Sequence, residues 1–156
     1  MNKESVHELN AKLARFCAYQ ERSKGEVLQK LAQLGADQKQ SDKVLKWLAD
    51  EKYIDDARFA AAYARGKFRS NNWGKIAIAH GLRQRGIGQS MIERALEEIP
   101  ESEYMQTACK LIKKKWSETA GDNIKVKERK VYTYMAFKGF ENDLIWDELK
   151  RLKCTK

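Results

Sequence analysis

The feature of this sequence that most constrains its fold is an apolar pattern that recurs three times, each time ahead of a glycine. Apolar residues stand eight and four positions before each of these glycines. The three sets are Val27, Leu31 and Gly35; Ile78, Leu82 and Gly86; and Val131, Met135 and Gly139. Residues four apart share one face of an α-helix, and glycine is the usual left-handed residue just beyond a helix end. The pattern therefore predicts three equivalent helices, each with one apolar face.

Further amphipathic stretches flank each of these helices, so the repeated unit contains three helices. The preceding stretches include Leu13, Phe16 and Cys17; Phe59, Ala60, Tyr63 and Ala64; and Tyr104, Ala108, Leu111 and Ile112. The following stretches include Val44 and Leu48; Ile92 and Leu96; and Ile145 and Leu149. The glycines are 51 and 53 residues apart, a spacing typical of stacked helical modules in which neighbours cover each other's apolar faces.

We therefore expect an all-α fold, a tandem array of three three-helix repeats that is elongated or curved. Its expected boundaries are residues 1–54, 55–100 and 101–156. Composition agrees with this fold, because the 156 residues include a single proline, the residue least compatible with a helix interior.

The strongest functional signal is positive charge in residues 55–86. This stretch contains seven lysines and arginines, and no acid occurs between Asp56 and Glu93. The formal net charge of the chain is +9, which favours a polyanionic partner. Asp55 and Asp56 open the stretch, and we expect Asp55 to cap a helix that begins at Asp56. Adjacent helical residues point about 100° apart, so the two carboxylates do not form an acid/base pair.

Three arginines of this helix, Arg58, Arg65 and Arg69, share one face, opposite Phe59, Ala60 and Ala64. Apart from the capping Asp55, no acid stands three or four residues from them, where a solvated helix commonly places its counter-charges. We therefore predict a surface that contacts phosphate or an acidic protein groove. The candidate binding residues are Arg58, Arg65, Lys67, Arg69, Lys75, Arg83, Arg85, Lys110, Lys113 and Lys114.

Other residues give weaker signals for binding. Arg83 and Arg85 precede Gly86, where the helix dipole alone would explain cations. The cluster of Lys125, Lys127, Arg129 and Lys130 contains Glu128 and is closer to an ordinary surface. Phe68 and Trp73 could stack on bases, although aromatic residues near helix ends more often serve packing.

The sequence shows no assembled catalytic or metal-binding motif. It lacks H-E-x-x-H, G-x-S-x-G and P-loop patterns, and GIGQS at 86–90 follows a predicted helix instead of a strand. The cysteines, Cys17, Cys109 and Cys154, form no C-x-x-C pair and indicate reduced thiols. With no signal peptide or membrane span evident, we expect a cytoplasmic, monomeric, non-enzymatic protein without cofactor, metal or membrane contact.

Three stretches together are similar to a known family. They are RSKGEVLQKL at 22–31, YIDDARFAAAY at 53–63, and Gly74, Ile78 and Leu82 with RGI at 85–87. The chain resembles RecX, the bacterial regulators of the RecA recombinase, over roughly residues 20–98.

The resemblance implies three tandem three-helix repeats and a regulator that acts in DNA recombination, repair and the SOS response. Such a protein lies in the groove of the filament that RecA forms on single-stranded DNA and checks filament extension, ATPase and strand exchange. Single-stranded DNA is the expected nucleic-acid partner, with duplex DNA as an alternative. The resemblance gives Arg58, Arg65 and Arg69 a role in these contacts.

The chain departs from the family pattern at two places, and two alternative functions stay open. We expect His80 and Gly81 to interrupt the middle helix of the second repeat, and SETAGDNIKVKE at 117–128 to form a long polar insertion in the third. One alternative is a helix-turn-helix regulator built on KLAQLGADQKQSDKVLKWL at 30–48, although its loop reads as too long and its second helix is not rich in cations. The other is a basic helical module without recombinase contact, which binds DNA generically or binds only protein.

Overall fold

All regular secondary structure in the described part of the chain is α-helical. The structure is a computed structural model that describes residues 3–121 and 123–154. Its nine helices in these residues are α1 (Val6–Tyr19), α2 (Lys24–Gln33), α3 (Gln38–Asp50), α4 (Asp56–Asn71), α5 (Lys75–Gln84), α6 (Gln89–Glu97), α7 (Glu101–Glu118), α8 (Ile124–Phe137) and α9 (Asn142–Cys154). None of the described helices combines the length and the apolar character needed to cross a lipid bilayer.

Short polar side chains start the helices of the first repeat. The hydroxyl oxygens of Ser5 and Ser23 each accept a hydrogen bond at 3.1 Å from the backbone amide three residues later. Before α3, the side chains of Asp37 and Gln40 accept from each other's backbone amides, which forms a capping box. These contacts satisfy amides that lack partners in a first helical turn, so the local sequence determines where each helix begins.

The three predicted glycines end the middle helix of each repeat. The φ angles of Gly35, Gly86 and Gly139 are 79°, 77° and 93°. The residue after each glycine donates its amide to the carbonyl five residues back, as Phe140 does to Met135 at 3.1 Å. This is the Schellman arrangement, and it confirms the predicted ends of α2, α5 and α8.

The chain forms two compact units. The first consists of Met1–Tyr63 and Leu82–Ala95, and the second of Ala64–Gly81 and Leu96–Lys156. Helices α4, α5 and α6 therefore contribute residues to both units. The two units reflect contacts between consecutive repeats, and their limits do not mark where one repeat ends and the next begins. The repeat boundaries after residues 54 and 100 therefore stay a prediction.

In the first unit, α1 packs on α3, and α2 packs on both. The buried core is apolar and draws on all three helices: Leu9, Leu13, Cys17, Val27, Leu31, Val44, Leu45 and Leu48. Phe16, which the sequence pattern places with them, packs against this cluster while only partly buried. Burying one such aliphatic side chain contributes about 1.5–3 kcal/mol.

In the second unit, α7, α8 and α9 pack on one another. The buried residues of these helices and of the turn between α8 and α9 include Tyr104, Ala108, Ile112, Val131, Met135, Phe140, Ile145 and Leu149. From α4, the ring of Phe68 lies 5.7 Å from that of Tyr104, centroid to centroid. Aromatic packing thus joins the first helix of the second repeat to the third repeat within this unit.

The first unit contains a junction between the first and second repeats. The backbone amide of Lys24, the first residue of α2, donates to Oδ1 of Asp56 at 3.1 Å. A Cβ atom on Gly25 would lie 3.2 Å from the carbonyl oxygen of Arg85, so glycine allows this close approach. The middle helix of the first repeat is therefore capped by α4 and packed against the turn between α5 and α6.

The second unit contains a tighter junction of the same kind. The amide of Gly74 donates to the carbonyl of Lys138 at 2.8 Å, and the amide two residues later donates to the carbonyl of Gly139 at 2.9 Å. Between them, the amide of Lys75 donates to the Tyr104 hydroxyl at 3.0 Å. The third repeat thus satisfies the first amides of α5. A Cβ atom on Gly74 would lie 2.3 Å from the Gly139 carbonyl, so no side chain fits there.

Three local expectations from the sequence are wrong. Helix α5 runs through His80 and Gly81 without interruption, because the apolar packing on either side outweighs the roughly 1 kcal/mol cost of a helical glycine. The polar insertion of the third repeat is mostly helical, and only residues 119–123 separate α7 from α8. The loop between α2 and α3 spans residues 34–37, a length that a helix-turn-helix does use.

We expect Gly139→Ala to destabilise the protein far more than Gly35→Ala. Both glycines have left-handed backbones, which cost an L-residue about 1–2 kcal/mol. An added Cβ at Gly35 meets nothing within 4 Å, whereas at Gly139 it would lie 2.3 Å from the Ala77 Cβ. In urea denaturation, Gly35→Ala should lose about 1 kcal/mol and Gly139→Ala at least about 3 kcal/mol. Equal losses would contradict the tight junction.

Candidate functional site

The two aspartates that open α4 cap two different helices. Oδ1 of Asp55 accepts a hydrogen bond from the amide of Arg58 at 3.1 Å, which confirms the predicted N-cap. Oδ1 of Asp56 instead accepts from the amide of Lys24, at the start of α2. Each carboxylate lies at the positive end of a helix dipole, so capping accounts for the pair.

Arg58 is exposed but has partners on three sides. Its Nε donates to Oε1 of Glu21 at 2.7 Å, and its Nη2 donates to the carbonyls of Lys52 at 3.1 Å and Tyr53 at 3.3 Å. It therefore holds the turn between α3 and α4. The expectation that this arginine lacks a counter-charge is wrong, because Glu21 comes from a distant part of the chain.

Arg69 and Lys75 are also paired, with acids in the first turn of α7. The Nε of Arg69 lies 3.2 Å from Oε1 of Glu103, and the Nζ of Lys75 lies 3.3 Å from Oε2 of Glu101. The expected lack of a counter-charge is wrong for Arg69 as well. Exposed pairs of this kind contribute only about 0–1 kcal/mol, so a phosphate could displace the carboxylate at little cost.

Arg85 is half-buried and belongs to the junction of the first unit. Its Nε lies 3.8 Å from Oε1 of Glu26, and its guanidinium carbon lies 4.8 Å from the centroid of the Tyr63 ring. Burial raises the pKa of the Tyr63 hydroxyl, and the charge of Arg85 opposes that rise. Arg83, by contrast, is exposed, and among the described side chains its Nε donates to Oε1 of Gln89 alone, at 3.4 Å.

Parts of all three stretches that carry the family resemblance meet in this first unit, whereas Gly74 and Ile78 belong to the second. Lys24, Gly25 and Glu26 of the first stretch contact Asp56 of the second and Arg85 of the third. These motif residues hold consecutive repeats together. A role in the junction explains them without any external ligand.

The aromatic residues near the end of α4 are used in packing. Phe68 is 2% exposed, so its suggested stacking on bases is wrong. The Nζ of Lys67 lies 4.8 Å from the centroid of the Trp73 ring, and both side chains are half-buried. A stacking role for Trp73 stays a prediction.

Apart from Arg83, whose guanidinium donates to the neutral Gln89 amide, four of the predicted binding residues keep their charge uncompensated. They are Arg65 on α4 and Lys110, Lys113 and Lys114 on α7, and all four are exposed. Within residues 3–121 and 123–154 none of them forms an ion pair with another side chain. The three lysines stand on the side of α7 away from its buried residues, Tyr104, Ala108 and Ile112. This cationic set can meet an external anion without first breaking an internal contact.

Sequence reasoning missed two further cations, Arg129 and Lys130 on α8. Glu128 was expected to offset them, but its carboxylate lies 2.9 Å from the Nζ of Lys153 and its side chain is only 15% exposed. Arg129 and Lys130 are exposed, and among the described side chains neither has an ionic partner. Helical periodicity could have predicted this, because it places Glu128 on the same face of α8 as the buried Val131 and Met135. A glutamate on that face cannot offset cations on the exposed face.

Two ionisable groups of the second unit are held in their neutral forms. Burial, followed by a hydrogen bond to Glu148, raises the pKa of the Cys109 thiol to about 11. Burial, followed by a hydrogen bond to Glu141, raises the pKa of the Tyr104 hydroxyl far above its usual range. At neutral pH neither group is an activated nucleophile. The described residues contain no group of three or more His, Cys, Asp or Glu side chains suited to a metal ion.

The fold and the surface define a tandem three-helix-repeat protein with exposed, uncompensated cations. Family models described as the second and third three-helix domains of RecX match residues 55–96 and 101–149. The chain belongs to the RecX family. This confirms the resemblance seen in the sequence and the all-α fold of tandem helical repeats.

Individual relatives agree with the family assignment. The regulatory protein RecX of Oceanobacillus iheyensis is 28% identical over 154 residues, which cover 99% of this chain and 57% of the relative. That of Geobacillus kaustophilus is 32% identical over 130 residues, 83% of this chain and 48% of the relative. A crystal structure of a regulatory protein RecX superposes with a TM-score of 0.84 at 26% identity, covering 94% of this chain and 73% of that one. The chain spans about half the length of the curated relatives it matches.

Arg58 and Arg65 should respond differently to truncation. Arg58→Ala leaves two turn carbonyls and the Glu21 carboxylate without a donor, and we expect a loss of about 1–2 kcal/mol in the free energy of unfolding. Arg65→Ala removes an exposed side chain without such contacts and should stay within about 0.5 kcal/mol of the wild type. Urea denaturation followed by circular dichroism measures both. A neutral Arg58→Ala would contradict its role in the turn.

Proposed function

We propose that this protein binds the filament that a RecA-type recombinase forms on single-stranded DNA, and that it inhibits filament extension, ATPase and strand exchange. Membership of the RecX family supports the regulatory role. The observation that carries the proposal is the set of exposed cations that the protein leaves uncompensated: Arg65, Lys110, Lys113 and Lys114.

Uncompensated cations favour a phosphate partner for a physical reason. Each phosphate that they neutralise releases a condensed counterion, and this release drives binding without regard to base sequence. A protein that reads one DNA sequence would in addition place side chains against base edges. The exposed lysines on α7 suit the first kind of contact, which a filament regulator needs.

Arg58, Arg69, Lys75 and Arg85 have a secondary place in this proposal. Their carboxylate partners neutralise them in the free protein, so they would contribute only after exchanging a carboxylate for a phosphate. Arg69 and Lys75 are better placed for such exchange than Arg58, whose guanidinium also holds two backbone carbonyls.

The experiment that tests the proposal is a titration of single-stranded-DNA-dependent ATP hydrolysis by the cognate recombinase. We expect suppression at well below one regulator per recombinase monomer, because capping or lining a filament affects many subunits at once. Suppression only when the protein saturates the DNA would instead indicate competition for phosphate by a generic basic helical module. A strong preference for one duplex sequence would indicate the helix-turn-helix alternative.

Replacing Arg65, Lys110, Lys113 and Lys114 together by glutamine should weaken binding to oligothymidylate. We expect the slope of log K against log salt to fall by up to about 3, since each lost phosphate contact on a single strand removes about 0.7. Fluorescence anisotropy at several salt concentrations measures the slope.

The matched control removes the same number of charges elsewhere. Lys39, Lys43, Lys46 and Lys150 are exposed lysines of α3 and α9, and their replacement by glutamine should change the slope by less than half as much. An equal change in the two variants would show that only net charge matters. A larger effect of the control on duplex binding would favour α3 as a recognition helix.

A further inference from the structure

A cleft of about 920 Å³ opens in the second unit beside α8. The residues that matter for its chemistry are Lys115 at the end of α7 and Val126, Arg129, Lys130, Tyr134 and Phe137 on α8. The function proposed above makes no use of this cleft.

The α8 wall of the cleft is an exposed helix face that carries both apolar and basic side chains. Lys130 stands four residues after Val126, and Phe137 stands seven residues after Lys130. These spacings place all three side chains on one side of the helix. The opposite side buries Val131 and Met135. Phe137 is 88% exposed, and a large apolar side chain exposed beside a cleft is typical of an anchor for a binding partner.

The charge of the cleft is positive. Arg129 and Lys130 form no ion pair with the described side chains, and the ammonium of Lys115 lies 4.8 Å from the centroid of the Tyr134 ring. Among the described lining residues, Glu118 is the one acid, against the three cations Lys115, Arg129 and Lys130. The cleft thus favours an anionic group next to an apolar one.

We propose that this cleft binds a segment of a protein partner in which acidic side chains flank an apolar side chain. Phe137 and Val126 contact the apolar side chain, while Arg129 and Lys130 pair with the acids. The inference rests on the proposed function, under which the partner is the recombinase.

Two features favour a protein segment over a nucleic-acid strand. A phosphate backbone carries a charge at every nucleotide and would place one beside Glu118 as well as beside the cations, whereas a peptide can confine its acidic side chains to the positions next to Arg129 and Lys130. In addition, apolar atoms of Val126, Ala120, Tyr134 and Phe137 supply much of the wall, which suits an aliphatic or aromatic side chain.

The test measures binding of the full chain, immobilised for biolayer interferometry, to two probes. The probes are the purified recombinase without DNA and a thirty-nucleotide oligothymidylate. We expect Phe137→Ala and Arg129→Glu each to weaken recombinase binding about tenfold, and Phe137→Ala to leave oligothymidylate binding within twofold of the wild type.

Two matched variants control for exposure and charge. Tyr19 in the first unit is 84% exposed, so Tyr19→Ala removes an equally exposed aromatic ring that is not among the lining residues of the cleft. Lys150→Glu makes the same charge change as Arg129→Glu on α9. Both should bind the recombinase within twofold of the wild type, and unchanged thermal midpoints verify that all four variants are folded.

Several outcomes would overturn the inference. Loss of oligothymidylate binding in Phe137→Ala would make the cleft a stacking site for bases. A dimer of the wild type that Phe137→Ala dissociates would make a second copy the occupant. No recombinase binding, or binding unchanged by Phe137→Ala, would leave the cleft without this role.

The proposed function has a separate readout. Suppression of ATP hydrolysis without binding to DNA-free recombinase would support the proposed regulatory function and overturn the proposed role of the cleft. Binding to the recombinase that depends on Phe137, without suppression of its ATP hydrolysis, would support the proposed role of the cleft and count against the proposed regulatory function.

Discussion

The structure depends on a contact in which the middle helix of one repeat begins against the next repeat. In the second unit, two backbone carbonyls and the Tyr104 hydroxyl take up the first amides of α5. In the first unit, Asp56 takes up the first amide of α2. A helix terminus buried without such partners would cost several kcal/mol. Each repeat therefore completes the one before it, which is why the compact units cut across the second repeat.

The same contact explains how positive charge is distributed. In the sequence, neither Arg58 nor Arg85 has an evident ion-pair partner. In the structure, the Arg58 guanidinium binds the Glu21 carboxylate and a carbonyl of the turn before α4. The Arg85 guanidinium lies over the Tyr63 ring and close to Glu26. The exposed cations that form no ion pair with the described residues include Arg65 on α4, Lys110, Lys113 and Lys114 on α7, and Arg129 and Lys130 on α8. The family motif and the exposed cationic set are thus largely different residues, since one maintains the array and the other faces outward.

The sequence predicts the fold better than the site, for a physical reason. Helix spacing and glycine ends are local, so Val27, Leu31 and Gly35 suffice to predict α2 and its end. The ion pairs of the α4 arginines are not local: Glu21 is 37 residues from Arg58, and Glu103 is 34 residues from Arg69. A search for counter-charges within one helical turn misses both. It also misreads Glu128, whose carboxylate turns inward to Lys153 and leaves Arg129 and Lys130 exposed.

The division of the second repeat between the units also constrains the order in which the chain matures on the ribosome. The first unit includes Leu82–Ala95, and Arg85 and Asp56 are among the residues that close it around α2. The first repeat consequently waits for translation to pass Ala95 before its last contacts can form. Until then α2 lacks the close contact of Gly25 with the Arg85 carbonyl and the ion pair of Glu26 with Arg85, so vectorial folding proceeds with each repeat one step behind synthesis.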